Sequence, residues 1–138
     1  MIIIDTNVVS EPLKPAPEQA VVEWLDAQVP GALFLSSVSL AELLAGVEAL
    51  AAGRRRSELA KALKDRVLPL FKGRILPFDE AAAQAFARVH AAARKAGNPI
   101  TFADCAIAAS ATACGFAIAT RNVRDFKGTG VSIIDPWR

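Results

Sequence analysis

The first residues of the chain constrain its fold more than any other stretch. Three consecutive isoleucines, Ile2–Ile4, lead directly into Asp5, Thr6 and Asn7. A continuous apolar run this short predicts a strand that is buried on both faces, as in a parallel sheet. Ligands of open parallel α/β sheets bind at the carboxyl ends of the strands. We therefore expect Asp5 to lie at a functional site, as the central ligand of a metal ion.

The rest of the chain alternates strand patterns with helix patterns. Proline cannot donate a hydrogen bond to a sheet, so Pro77 places the third predicted strand near an edge. The alternation predicts an α/β fold, namely a three-layer α/β/α sandwich with a mainly parallel sheet of four to five strands. A length of 138 residues fits a single domain, 1–138. Further strands are predicted at 33–36, 74–78, 116–120 and 131–134, and helices near 6–13, 18–28, 39–50, 54–71, 79–95 and 101–113, with one helical turn at 122–126.

Several classes of protein are excluded by what the chain lacks. It has one histidine, His90, so catalysis by a pair of histidines and a two-histidine zinc site are impossible within one chain. It has no phosphate-binding glycine loop, no apolar run of the roughly 20 residues that a membrane span needs, and no basic region ahead of Ile2 that would indicate a signal peptide. We expect a cytoplasmic protein without a membrane partner. The net charge of +2 permits a polyanionic ligand but does not require one.

The acids that could join Asp5 follow from where the predicted elements begin and end. Glu42 lies early in the helix after the second strand, and Asn122 and Asp125 follow the fourth strand. Asp104 lies in the first turn of the helix before the fourth strand. An antiparallel return of that helix would bring its N-terminus to the edge where parallel strands end. All these acids are therefore predicted at the carboxyl edge of one sheet.

Helix capping is an alternative role for each acid. Ser39–Glu42 and Thr101–Asp104 have the spacing of a capping box, in which a hydroxyl is followed three residues later by an acid. Asn122–Asp125 has the same shape, and Asp5 could cap the turn that follows it. Acids in a first turn also interact favourably with the helix dipole. Capping and metal binding are compatible, because a helix N-terminus keeps a carboxylate charged.

Convergence of several carboxylates favours a metal ion over capping alone. Neighbouring negative charges raise one another's pKa values, and a divalent cation removes that cost. Oxygen-only ligands suit Mg²⁺ or Mn²⁺ better than Zn²⁺. Such an ion can bind a phosphate oxygen and lower the pKa of an attacking water molecule. The predicted chemistry is metal-dependent hydrolysis of a phosphodiester. An aspartyl-phosphate phosphatase would instead need a second aspartate at the position of Asn7.

Five segments of the chain form a recognisable series: Ile4–Pro12, Ser39–Leu43 followed by Gly46, Ala103–Ala109, Ala119–Asn122, and Asp135–Trp137. In this order and spacing they resemble the PIN domain, and most closely the VapC/FitB-type ribonuclease toxins of bacterial toxin–antitoxin pairs. The resemblance covers the whole chain and implies a Mg²⁺-dependent endoribonuclease.

The resemblance also implies roles by position. Asp5 and Asp104 match the principal Mg²⁺ ligands of the family, and Glu42 matches its third acid, a ligand or a general base. Thr6 and Asn7 would hold Asp5 and nearby water through hydrogen bonds. Thr120 matches a hydroxyl position beside the metal.

The chain departs from the family pattern at Asn122, where a fourth acid is often found. Either Asp125 takes that role through water, or the site uses three acids. An amide oxygen can ligate Mg²⁺ but brings no charge, so a second metal ion should bind weakly. Arg121 and Arg124 flank this position and are weak candidates for RNA binding.

Finally, the resemblance implies partners: an RNA substrate, a cognate antitoxin, and a second copy of the chain in a homodimer that joins a higher toxin–antitoxin assembly. DNA would be bound only through the antitoxin. Candidates for an apolar antitoxin groove are Leu13, Trp24, Leu44 and Leu63. The alternative function is a catalytically weak or inactive PIN-like binding module within a DNA-binding repressor complex.

Overall fold

A five-stranded, all-parallel sheet forms the centre of the protein in a computed structural model that describes residues 1–138. The strand order is β3-β2-β1-β4-β5, which places the isoleucine strand in the middle and β3 at an edge, as Pro77 predicts. In the register, Ile3 lies between Phe34 of β2 and Ile118 of β4. The strands are β1 Ile2–Ile4, β2 Leu33–Ser36, β3 Ile75–Leu76, β4 Ala117–Ala119 and β5 Ile133–Ile134.

Six α-helices cover the sheet. The predicted cap at Thr101 is present, since its side chain accepts a hydrogen bond from the Asp104 amide, and Asp79 caps the helix that follows it by accepting one from the Ala82 amide. The helices are α1 Thr6–Ser10, α2 Gln19–Asp26, α3 Ser37–Glu48, α4 Arg54–Ala62, α5 Glu80–Lys95 and α6 Phe102–Cys114. Short 3₁₀ turns lie at Glu11–Leu13, Pro30–Ala32, Leu68–Phe71 and Val123–Phe126.

The central strand explains why helices are needed on both faces. Successive side chains of a strand point to opposite faces, and both Ile3 and Ile4 are fully buried. Ile4 belongs to a core formed with helices α1 to α3 and the segment 63–71, whereas Ile3 belongs to a second core formed with α5 and α6. Each cluster fills the space between the sheet and one helical layer. The predicted three-layer α/β/α fold is confirmed.

Several element predictions are wrong in detail; the last strand, for example, spans only Ile133–Ile134 instead of 131–134. The helix expected at 54–71 is an α-helix only to Ala62, followed by a π-helical turn, Leu63–Val67, and a 3₁₀ turn. Pro69 has no backbone N–H to donate, so the regular helix cannot continue through it. The third strand is shorter than predicted, with only Ile75 and Leu76 in register with β2.

No helix in the structure combines the length and the apolar character that crossing a membrane requires.

Candidate active site

Asp5 lies at the carboxyl end of the central strand and is only 4% exposed. Its Oδ1 accepts a hydrogen bond from the Thr6 amide at 2.7 Å, which caps helix α1. Its Oδ2 accepts one from Thr120 Oγ1 at 2.7 Å and a longer contact from Asn7 Nδ2 at 3.4 Å. Burial raises the pKa of Asp5 above its ordinary value, while these three hydrogen bonds oppose the rise and nearby Asp125 adds to it. Capping and a buried acidic site therefore coexist in one residue.

Thr120 joins the central strand to the turn after β4. It is completely buried, and its hydroxyl donates to Asp5 while accepting from the Asn122 amide at 3.0 Å. Asn7 makes a second connection, because its Oδ1 accepts from the Arg121 amide at 3.1 Å. These hydrogen bonds join residues that are more than 100 positions apart in the sequence and that follow two adjacent strands. Their predicted closeness to Asp5 is confirmed; their role in holding a metal site remains a prediction.

Glu42 reaches the same edge from helix α3. Its Oε1 accepts a hydrogen bond from Thr6 Oγ1 at 3.0 Å. The predicted capping box at Ser39–Glu42 is wrong, because Ser36 is the N-cap and accepts from the Ser39 amide at 3.1 Å. The helix begins directly after β2, so Glu42 lies in its second turn. Ser39 is instead fully buried, and its hydroxyl has no hydrogen-bond partner.

Asp104 lies in the first turn of α6, three residues after its cap Thr101, whose Oγ1 accepts from the Asp104 amide at 3.2 Å. Burial is the largest cause that raises the pKa of Asp104, followed by the charge of Asp5, with smaller contributions from Asp125 and Glu42. Helix α6 runs antiparallel to the strands, and its N-terminus therefore lies at the edge of the sheet where Asp5 is found.

Asp125 and Asn122 belong to the exposed turn after β4. Asp125 lies close enough to raise the pKa values of both Asp5 and Asp104. The amide side chain of Asn122 makes no capping hydrogen bond, so the box suggested by its spacing to Asp125 is wrong. Asp125 is the fourth acid of the cluster.

The donor set fits a hard divalent cation in its chemistry. All candidate ligands are oxygen atoms, which Mg²⁺ and Mn²⁺ prefer. The mutual repulsion that raises the pKa of Asp104 is the penalty that a cation would remove. However, no three acidic, histidine or cysteine side chains lie close enough together to surround one ion. The acids share one edge of the sheet without converging on one point.

An apolar cavity of about 360 Å³ lies on the α2 side of the sheet. Of the four residues suggested from sequence for an antitoxin groove, only Leu13 lines it. Leu63 is core, Trp24 packs against that core, and Leu44 is exposed outside the cavity. The cavity is lined by Ile4, Val9, Pro12, Leu13, Val22, Leu25, Asp26, Gln28, Pro30, Leu33, Arg66, Val67, Leu70 and Phe71.

Glu11 is a buried acid to which the sequence reasoning gave no role. It is 5% exposed, and its carboxylate pairs with Lys14 Nζ at 2.8 Å and accepts from the Glu18 amide at 3.1 Å. The hydrogen bond with Lys14 is the main cause that lowers the pKa of Glu11. This contact ties the segment after α1 to the start of α2. The i, i+3 spacing of Glu11 and Lys14 is the signal that could have found it.

The molecule is therefore an all-parallel α/β sandwich that carries a group of acids at the carboxyl edge of its sheet. The chain belongs to the PIN domain family, whose model matches residues 2–131, and to the VapC/FitB-type branch of that family. It is 45% identical to VapC ribonuclease Y4jK of Sinorhizobium fredii, over 99% of this chain and 98% of the relative. It is 42% identical to toxin FitB of Neisseria gonorrhoeae, over 99% of both chains.

A solved structure of FitAB bound to an IR36 DNA fragment has the same fold. The TM-score is 0.96 at 40% identity, and the match covers 100% of this chain and 96% of the other. The resemblance to VapC/FitB-type proteins that the five sequence segments indicate is confirmed.

Proposed function

We propose that the protein is a Mg²⁺- or Mn²⁺-dependent endoribonuclease that acts as the toxin of a toxin–antitoxin pair. The observation that carries the proposal is the placement of Asp5, Glu42, Asp104 and Asp125 at the carboxyl edge of the sheet. Thr6 links Asp5 to Glu42 by hydrogen bonds, and the charges of the other three acids add to burial in raising the pKa of Asp104. Acids that served only as separate helix caps would have no reason to lie close enough to repel one another. Relatives named as a VapC ribonuclease and a toxin support the same reading.

In this proposal Asp5 and Asp104 would ligate the metal ion and Glu42 would hold it through water, since no three acids lie close enough to surround one ion directly. A bound Mg²⁺ supplies Lewis-acid stabilisation of the phosphate and a more acidic attacking water. Thr120 and the Thr6 amide keep the Asp5 carboxylate oriented. Glu42 is exposed and hydrogen-bonded only through Thr6, so its carboxylate is free to accept a proton from water as a general base.

Asp125 and Asn122 take the outer positions. Asp125 is exposed in the turn after β4 and contributes its charge to the site without a hydrogen bond to Asp5. We assign it the role of the fourth acid, acting through water. Asn122 contributes an amide and no charge, so we expect one metal ion to bind strongly and a second to bind weakly.

The decisive experiment compares Asp5→Asn and Asp104→Asn with Asp65→Asn, an exposed acid outside the cluster. Cleavage of a fluorescently labelled RNA is measured with and without Mg²⁺, and folding is checked by urea titration. The two site variants should lose more than about 100-fold in activity while remaining folded, because each removes a proposed metal ligand. Asp65→Asn should behave as wild type. Cleavage by Asp5→Asn at the wild-type rate would end the assignment.

We further propose that the apolar cavity beside α2 receives a segment of the cognate antitoxin. Leu70 at its rim is 61% exposed, which is unusual for so apolar a side chain next to a cavity. Leu70→Glu should weaken capture of the co-expressed antitoxin. Leu44→Glu is the matched control, since Leu44 is also exposed but does not line the cavity. Equal loss in both variants would refute this placement.

A non-catalytic binding module is the second candidate function, within a repressor complex that binds DNA through the antitoxin. Two observations favour it: the acids do not converge on one point, and a similar chain occurs in the DNA-bound FitAB structure. Calorimetric titration separates the candidates. Absence of Mg²⁺ and Mn²⁺ binding, with antitoxin binding intact, would favour the module. In either case we propose a cytoplasmic homodimer in which each chain is a single PIN domain, 1–138.

A further inference from the structure

A second and much larger concave surface, of about 1120 Å³, adjoins the acidic cluster. It is formed by the turn after β4, the loop that follows and the end of the chain. We call it the basic groove. Its lining consists of residues 121–128 together with Gly130, Val131, Ile133, Asp135 and Arg138.

Positive charge dominates this groove. Arg121, Arg124, Lys127 and Arg138 line it, and of these only Arg138 pairs with a carboxylate, that of Asp135 at 3.6 Å. The other three cations form no salt bridge anywhere in the chain. Three unpaired cations on one concave surface attract a polyanion more strongly than the overall net charge of +2 suggests.

The backbone that carries Arg124 and Lys127 is held rigidly. Asn98 Nδ2 donates to the carbonyl oxygens of both residues, at 3.2 and 2.6 Å. The turn is also anchored by Phe126, which is 1% exposed in the second core. Because these contacts hold the backbone that carries the cations before a ligand arrives, binding does not require the loop to be ordered first.

The groove is connected directly to the proposed catalytic acids. Asp125 lines the groove and at the same time raises the pKa of Asp5. At the same end, the amide of Arg121 donates to Asn7 Oδ1, and the Arg121 guanidinium lies 5.2 Å from the centre of the Trp137 ring. A polyphosphate backbone bound beside the acids can therefore extend into the groove along one continuous surface.

We propose that the basic groove binds the backbone of single-stranded RNA next to the cleaved phosphodiester, with Arg124 and Lys127 contacting successive phosphates. This inference rests on the proposed function, and it names the surface that receives the flanking substrate. The sequence reasoning singled out Arg121 and Arg124 but not Lys127 or Arg138, because only the folded loop brings all four together. RNA is favoured over an acidic peptide because the groove is continuous, through Asp125, with the acids at which the proposed function places cleavage of RNA.

The test measures binding separately from cleavage. A fluorescein-labelled 12-nucleotide single-stranded RNA is titrated with the full chain in EDTA, and its anisotropy is followed at several salt concentrations. Arg124→Gln/Lys127→Gln should weaken binding about 10-fold at low salt. It should also reduce the slope of log affinity against log salt by about 1 to 1.5, since each phosphate contact to a single strand contributes about 0.7.

The control is Arg55→Gln/Lys61→Gln, which removes the same charge from helix α4, away from the groove. It should change the affinity by less than about 2-fold, as expected when only distant screened charge is lost. Equal weakening by both double variants, or an unchanged salt slope in the groove variant, would overturn the inference. So would an absence of RNA binding by the wild type, or tighter binding of a 12-residue polyglutamate peptide than of the RNA.

Cleavage assays with Mg²⁺ distinguish this inference from the proposed function. If the wild type binds RNA through the groove but never cleaves it, the proposed function fails and the groove stands. If the wild type cleaves RNA and Arg124→Gln/Lys127→Gln has an unchanged KM, the groove fails and the proposed function stands. Support for both requires that the variant raise KM more than it lowers kcat.

Discussion

Replacement of Thr120 by valine tests the buried connection between Asp5 and the turn after β4. Valine matches the shape of threonine but removes a hydroxyl that donates to Asp5 Oδ2 at 2.7 Å and accepts from the Asn122 amide at 3.0 Å. A hydrogen bond to a charged group contributes about 1.5–3 kcal/mol. The backbone amide of the exposed residue Asn122 can instead form a hydrogen bond with water, so its lost partner costs little. We expect Thr120→Val to lower the free energy of unfolding by about 2 to 3 kcal/mol near pH 7.5.

The loss should depend on pH in a defined direction. The pKa of Asp5 in the folded protein is already raised by burial, and the Thr120 hydrogen bond is the largest of the contacts that lower it. Without that bond the folded-state pKa rises further above the unfolded one. Below both folded-state pKa values Asp5 is protonated in both proteins, so the charged part of the difference disappears. The destabilisation should therefore grow as the pH rises through the folded-state pKa of Asp5, which burial holds above the ordinary value of 3.8.

Urea titrations of the metal-free protein at several pH values provide the measurement. Thr120→Ser keeps the hydroxyl and loses only a methyl group, so it should cost about 1 kcal/mol with no such pH dependence. A difference below about 0.5 kcal/mol for Thr120→Val at pH 7.5, or the same difference at all pH values, would refute the reasoning.

Three further substitutions test other features of the structure by the same unfolding assay. Ser39→Ala should stabilise the protein by about 1 kcal/mol, since the buried hydroxyl has no partner; destabilisation would mean that an unseen partner exists. Gly128→Ala should destabilise by about 1–3 kcal/mol, because Gly128 has φ +90° and a Cβ there would lie 2.9 Å from Ala96 Cβ; a neutral result would contradict the close approach. Glu11→Gln should destabilise the protein at pH values above 4.5, the ordinary glutamate pKa, because the contact with Lys14 is the main cause that lowers the pKa of Glu11 in the folded protein. The destabilisation should fade as the pH falls through this lowered pKa. An effect that is the same at all pH values would refute the ion pair.

Local sequence signals predicted most of the fold. The short isoleucine run, the apolar spacing of the helices and the hydroxyl or acid before a helix are properties of neighbouring residues, and the structure confirms them at β1, α5 and the Thr101 cap. The same local signals failed at α3, where Ser36, Ser37 and Ser39 all precede the apolar positions and several could cap. Only the end of β2 selects Ser36.

The sequence by itself determined that a buried strand delivers Asp5 to the edge of a parallel sheet, because a run of β-branched residues followed by an acid leaves few other folds. The tertiary structure decided through which contacts the predicted groups surround it. The antiparallel return of α6 brings in Asp104, the Thr6 hydroxyl reaches Glu42 across 36 residues, and Thr120 closes onto Asp5 across 115. The basic groove likewise exists only after folding. Contacts between distant segments depend on how whole elements pack, and no local pattern records that arrangement.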